Sequence, residues 1–115
     1  METLRYQTIE IDRGIGESGY AEEPVTLDKS YGKVTGVRAY LVADGGQAYI
    51  KIGLKDRNYM LHNASPNADW APNVDYFYKP LNIRHHGQDF FVITDLPAAN
   101  AAALKLILVF RLEKE

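Results

Sequence analysis

The chain has no cysteine among its 115 residues. That removes disulfides, thiolate metal sites and cysteine nucleophiles together. Serine is scarce as well. Ser18, Ser30 and Ser65 all fall in turn or loop contexts, and none sits in the G-x-S-x-G of a nucleophile elbow. Neither sign of charge dominates: 13 basic and 15 acidic residues leave a formal net charge of -2, spread along the chain. This argues against a nucleic-acid-binding stripe and against a surface built for anionic lipid. No apolar run approaches the roughly 20 residues that cross a bilayer. The longest, Leu106 to Phe110, is bounded by Lys105 and Arg111, so no membrane insertion is expected. The opening residues METLRYQTIEID lack the apolar core of a signal peptide, and a protein made in the cytoplasm is expected.

What is present favours β structure in one domain. Eight tyrosines and four phenylalanines accompany few helical periodicities, and a chain of this length forms a single core without staples. The clearest stretch is Lys33 to Leu54, two alternating runs around Asp44-Gly45-Gly46. Read as a hairpin, it sets Leu41 opposite Ile50, Ala39 opposite Ile52 and Val37 opposite Leu54. Arg38, Tyr40, Tyr49 and Lys51 then share the other face.

Along the chain, Leu4 to Arg13 reads as a strand with a change of parity, which a bulge near Gln7-Thr8 would reconcile. Gly14 to Gly19 fits G-x-G-x-x-G, but Pro24 leaves no room for the helix that a dinucleotide site requires, so a loop is expected. Val25 to Leu27 reads as a short edge strand, and Tyr59 to His62 as another short strand. Asn63 to Asn73 is the longest loop. Val74 to Tyr78, Leu81 to His85 and Asp89 to Thr94 read as strands. Asp95-Leu96-Pro97 is placed to start a short helical turn through Ala98 to Ala103. In the last segment Leu104, Leu106, Leu108, Phe110 and Leu112 keep one parity; a helix competes, but the alternation and the β-branched residues favour a strand. Seven to eight short strands with regular turns predict an all-β antiparallel sandwich or barrel, with at most one helical turn near residues 96–103; a jelly-roll-like arrangement of the strands is implied only by the resemblance given below.

Candidate chemistry is thin. His62 and His85-His86 end strands, and adjacent strand residues point apart, so no metal site is expected. No pair of acids can be assigned a catalytic separation from sequence alone, and no enzyme, catalytic residue or cofactor is expected. Trp70, Tyr76 and Tyr78 are the candidate ligand or partner contacts: exposed, they would stack on sugar rings. Alternatively Trp70 folds back to anchor its loop, with Phe77 in the core. Ile107 and Val109 place apolar groups on the face opposite Leu106 and Leu108. Either the 98–103 turn or the N-terminal arm covers them, or they form a subunit interface.

The order of features from Gly36-Val37-Arg38-Ala39-Tyr40-Leu41 resembles small single jelly-roll virion proteins of bacteriophages, of the vertex, spike or decoration type. The likeness runs through Ala48 to Leu54, then Phe77 to Ile83, then an aromatic strand with Thr94-Asp95, and closes on Leu106 to Phe110. The resemblance implies a structural virion subunit that forms trimers or pentamers with itself, contacts other virion proteins, and carries no catalytic motif. A carbohydrate-binding β-sandwich module is the alternative reading.

Overall fold

The structure of the protein is a computed structural model that describes residues 3–57, 59–70, 78–85 and 90–114. The described strands are β1 (Leu4–Arg13), β2 (Gly19–Val25), β3 (Lys33–Asp44), β4 (Lys51–Asp56), β5 (Tyr59–Pro66), β6 (Lys79–Arg84), β7 (Phe90–Leu96) and β8 (Leu104–Glu113). They form two antiparallel four-stranded sheets, in the orders β1-β8-β3-β6 and β2-β7-β4-β5. The pairs β1–β8, β2–β7, β3–β6 and β4–β5 are those of one long hairpin folded on itself. The pairs β3–β8 and β4–β7 then join them within each sheet. This is the double Greek-key pairing of a jelly roll; the strand count and spacing predict the antiparallel sandwich, and the pairing order is the one the resemblance implies.

β8 shows why the alternation is so strong. It lies between β1 and β3, and its burial alternates without a break from Leu104 to Glu113. Leu104, Leu106, Leu108, Phe110 and Leu112 point into the core, where they meet Ile52, Leu54, Phe90 and Val92 of the second sheet. Three prolines lie on edge strands: Pro24 on β2, Pro66 on β5 and Pro80 on β6. An edge strand can spare the hydrogen-bond donor that proline lacks.

Five expectations are corrected. The turn at Asp44 to Gln47 forms as read, with Gly45 and Gly46 at φ 62° and 84° and Gln47 N–H donating to Asp44 O at 2.9 Å. Yet β3 and β4 do not pair; the chain crosses between sheets after the turn. Leu41, Ala39 and Val37 sit opposite Leu106, Leu108 and Phe110 instead. Both runs have an apolar inner face, and such faces can be stacked across a core as well as set side by side in one sheet. In β1 there is no bulge: its register with β8 is continuous from Leu4 to Arg13. Leu4 and Tyr6 simply lie on the outer face, which explains the change of parity.

Residues 97–102 form two bends, at 97–98 and 101–102, and not a helical turn. Their backbone groups bond to other loops: Asn100 N–H to Glu17 O (2.9 Å), Gly16 N–H to Asn100 O (2.9 Å), and Ala101 N–H to Gly45 O (2.8 Å). The short helix lies elsewhere, as a 3-10 turn over Asn67–Trp70. Lastly, β2 occupies Gly19–Val25, upstream of the expected edge strand, and β5 runs on to Pro66, into the expected long loop. Of the expected strand at 74–78, residues 74–77 lie outside the described residues, as do His86 and Asp89.

Candidate functional site

The outer face of the first sheet carries the most distinctive surface. Alternation along β8 sends Lys105, Ile107, Val109, Arg111 and Glu113 to this face. Cross-strand register fixes their neighbours. Ile107 lies between Glu10 of β1 and Tyr40 of β3, and Val109 between Thr8 and Arg38. Both aliphatic side chains are half-buried. The N-terminal arm does not lie over them, because it is β1, paired alongside. The 97–103 segment is engaged with the Gly14 to Glu17 and Gly45 loops. Next to them Tyr40 is 39% exposed and Val42, at the β3 bulge, 58% exposed.

Below Val109 the face becomes aromatic and basic. Gly36 faces outward opposite Arg111, and a Cβ there would stand 2.9 Å from Tyr78 Cβ and 3.2 Å from the Arg111 guanidinium. The missing side chain is what lets Tyr78 lie across the sheet from its edge. Its ring reaches Tyr6 on the far strand at 5.7 Å between centroids. The Arg38 guanidinium lies 4.9 Å from the Tyr78 ring and 5.2 Å from that of Tyr40, and Arg111 5.4 Å from Tyr78. Arg111 is also anchored, donating to Thr35 Oγ1 (3.1 Å) and Thr35 O (2.9 Å) at the second β3 bulge. Tyrosine and arginine held in place over a sheet are the residue types that dominate protein interfaces, since both bring large contact area at small entropic cost. The upper rim is acidic: Lys105 is paired with Glu10 at 3.1 Å, and Glu10 and Asp12 hold its ammonium above the ordinary lysine range.

The sequence-derived contacts divide. Tyr78 belongs to this face. Trp70 does not: its ring is fully buried in the core, its Nε1–H donates to Ser65 Oγ at 3.0 Å, and His62 lies 4.6 Å away. The loop-anchor alternative therefore holds for Trp70, and a ring with no exposed surface offers no face to a sugar. Tyr76 and Phe77 lie outside the described residues. The grouping of Tyr6, Arg38, Tyr78 and Arg111 escaped sequence reasoning because it depends on a gap at Gly36 and on three strand pairings.

Other motifs are structural. In the Gly14 to Gly19 segment a strand follows the turn, where a dinucleotide site needs a helix. Arg13, reading only as a strand end, is buried between the sheets; it donates to Thr94 Oγ1 (2.9 Å), Ser18 O (3.2 Å) and Glu17 Oε1 (3.0 Å). Glu17 also accepts from Gly14 N–H, and that bond, with Arg13 beside it, lowers its pKa. Asn100 is buried in the same corner. Its Nδ2 donates to Gly14 O (3.0 Å) and Arg13 O (3.3 Å), and its Oδ1 accepts from Gln47 Nε2 (2.8 Å). His85 is buried with Nε2 2.6 Å from Tyr31 O, whereas His62 belongs to β5 of the other sheet. Among the described residues, no three of His, Asp and Glu gather in a group able to hold a metal ion.

No protein-family model matches the chain, and no curated protein does. One solved structure, described as "Bacillus endospore appendages form a novel family of disulfide-linked pili", contains a chain similar over 100% of this protein and 92% of its own length, at 13% identity and a TM-score of 0.42. That score is too low to carry an argument about fold or function.

Proposed function

We propose that this protein is a non-enzymatic structural subunit that works by self-assembly. Its outer β1-β8-β3-β6 face packs against another copy. The observation that carries the reading is the half-buried pair Ile107 and Val109, set among Tyr40, Val42 and Arg38 at the centre of a sheet face. Covering the remaining surface of the two aliphatic side chains contributes about 1 kcal/mol each, and the neighbouring tyrosines add more area. The jelly-roll pairing fits the resemblance to bacteriophage virion proteins. On that reading the chain is a capsid-associated vertex, spike-base or decoration subunit, forming trimers or pentamers and contacting other virion proteins.

Native mass spectrometry and light scattering over a range of concentrations test it. A defined trimer or pentamer is expected. Val109→Asp should shift the population to monomer while leaving the far-UV spectrum and melting behaviour close to wild type, because Val109 faces away from the core. A wild-type protein that stays monomeric at every concentration would refute the reading. So would a Val109→Asp variant that assembles as well as the parent.

A further inference from the structure

A trimer or pentamer closes only through a heterologous contact, in which two different patches of each copy meet. The outer face around Ile107 and Val109, packed on its own like, would give a dimer and stop there. We infer that the second patch is the loop end of the sandwich, around Ile15, and that it seats on the Ile107–Val109 face of the next copy. This rests on the self-assembly reading and names the surface that the face receives.

The β1–β2, β3–β4 and β7–β8 connections gather at this end. Ile15 is 74% exposed in the first of them. Pro97 to Ala99 and Ala101 to Ala103 are exposed in the last, and Tyr49 is 42% exposed in the second. The loops form one surface because they are bonded to one another: Gly16 N–H donates to Asn100 O, and Ala101 N–H to Gly45 O. Beneath them Gln47 Nε2 donates to Ala98 O (2.6 Å) and to Asn100 Oδ1 (2.8 Å). An apolar surface held this way loses little further freedom on docking.

Charge selects the occupant. Residues 14–18, 44–50 and 97–103 carry two charged side chains, Glu17 and Asp44, both carboxylates and both exposed. The only arginine close by, Arg13, is buried behind Glu17. The outer face instead sets Arg38 opposite Val109, with Arg111 two residues further along β8. One loop end docked on another would oppose like charges. Docked on the face, it brings apolar groups together and carboxylates toward guanidinium groups.

Orientation agrees with closure. The loop end lies at the ends of the strands and so faces about a right angle away from the sheet. Two contacts inclined to each other close a ring after a few copies. The remaining large exposed apolar residues do not offer this. Tyr20 donates its hydroxyl to Glu22 (2.6 Å), which also accepts from Lys55 (2.8 Å). Tyr59 and Met60 begin β5 at the opposite end, and Met60 pairs with Lys55 on the outer side of the second sheet. A contact there, back to back with the first face, would stack copies in an open row.

Native mass spectrometry and sedimentation of the full chain test this, with each variant's fold checked by circular dichroism. Ile15→Asp should raise the concentration for half-assembly about tenfold or more. Ala102→Glu, on a separate loop of the same surface, should act likewise, and Tyr59→Asp should leave assembly unchanged. The decisive sample mixes Ile15→Asp with Val109→Asp. Each keeps one intact patch, so the pair should form heterodimers and no larger ring, while each alone is monomeric. A wild-type chain that is monomeric at every concentration refutes self-assembly itself. Assembly lost in Val109→Asp but kept in Ile15→Asp and Ala102→Glu overturns the loop-end assignment alone. So does a wild-type dimer, a mixture that stays monomeric, or assembly lost in Tyr59→Asp.

Discussion

Replacing Asn100 by alanine tests whether the loop end of the sandwich is held by one side chain. Asn100 is 3% exposed and joins three loops: Nδ2 donates to the carbonyls of Gly14 and Arg13, and Oδ1 accepts from Gln47 Nε2. Its backbone adds two bonds, to Glu17 and Gly16, whose geometry the side chain helps to set. Each buried hydrogen bond contributes about 1 kcal/mol net, and an orphaned buried partner costs somewhat more. The 3.3 Å bond to Arg13 O is the weakest, and Gln47 keeps its 2.6 Å bond to Ala98 O after the change. The expected loss for Asn100→Ala is therefore about 2–3 kcal/mol. For a domain of this size that corresponds to a fall in melting temperature of about 8–12 °C. Thermal and urea unfolding followed by circular dichroism would read it, with Gln47→Ala and the double variant completing a cycle. The two changes should fall short of additivity by about 1 kcal/mol, since they share a bond. A loss below about 1 kcal/mol, or full additivity, would refute the assignment of Asn100 as the tie between the sheets' loops.

Two further outcomes follow from the same geometry. Leu108→Asp puts a carboxylate into a fully buried position between the sheets and should abolish folding at room temperature, seen as loss of the β spectrum, in contrast to its neighbour Val109. On acidification, the lowered pKa of Glu17 has a definite sign: Gly14 N–H and Arg13 favour its charged form in the folded state. Its contribution is present above the ordinary glutamate value of about 4.3 and is lost as pH falls through the lower folded value. Stability measured from pH 6 down to about 2 should therefore fall less steeply in Glu17→Gln than in wild type; equal slopes would sink the assignment.

Some of the fold was legible because it is local. Alternation in Leu104 to Glu113 named the core row of β8, since a strand buried on one face must repeat every second residue. Asp44-Gly45-Gly46 named its turn, because only residues that tolerate positive φ fit there. Pro24 entered the sequence reading only as a stop to any helix, yet it sits inside the edge strand β2, where a missing donor is tolerated. The helical turn expected at 98–103 failed for a tertiary reason: Asn100 and Ala101 bond to loops distant in the chain.

The candidate surfaces were less legible. Parity alone put Ile107 and Val109 outside the core, and that much needed no coordinates. Which residues surround them required knowing that β8 lies between β1 and β3, and the Tyr6–Tyr78 contact required the gap at Gly36 as well.

By itself, then, the sequence determined the all-β class, the inward side of β3, β4 and β8 and the tight turn, because side-chain period and backbone φ are properties of adjacent residues. Tertiary structure decided which strands are neighbours, sending β3 to β8 instead of β4 and bringing Tyr78 over Arg111. Partner choice between equally apolar strands depends on how two whole sheets bury each other, and no local pattern carries that energy.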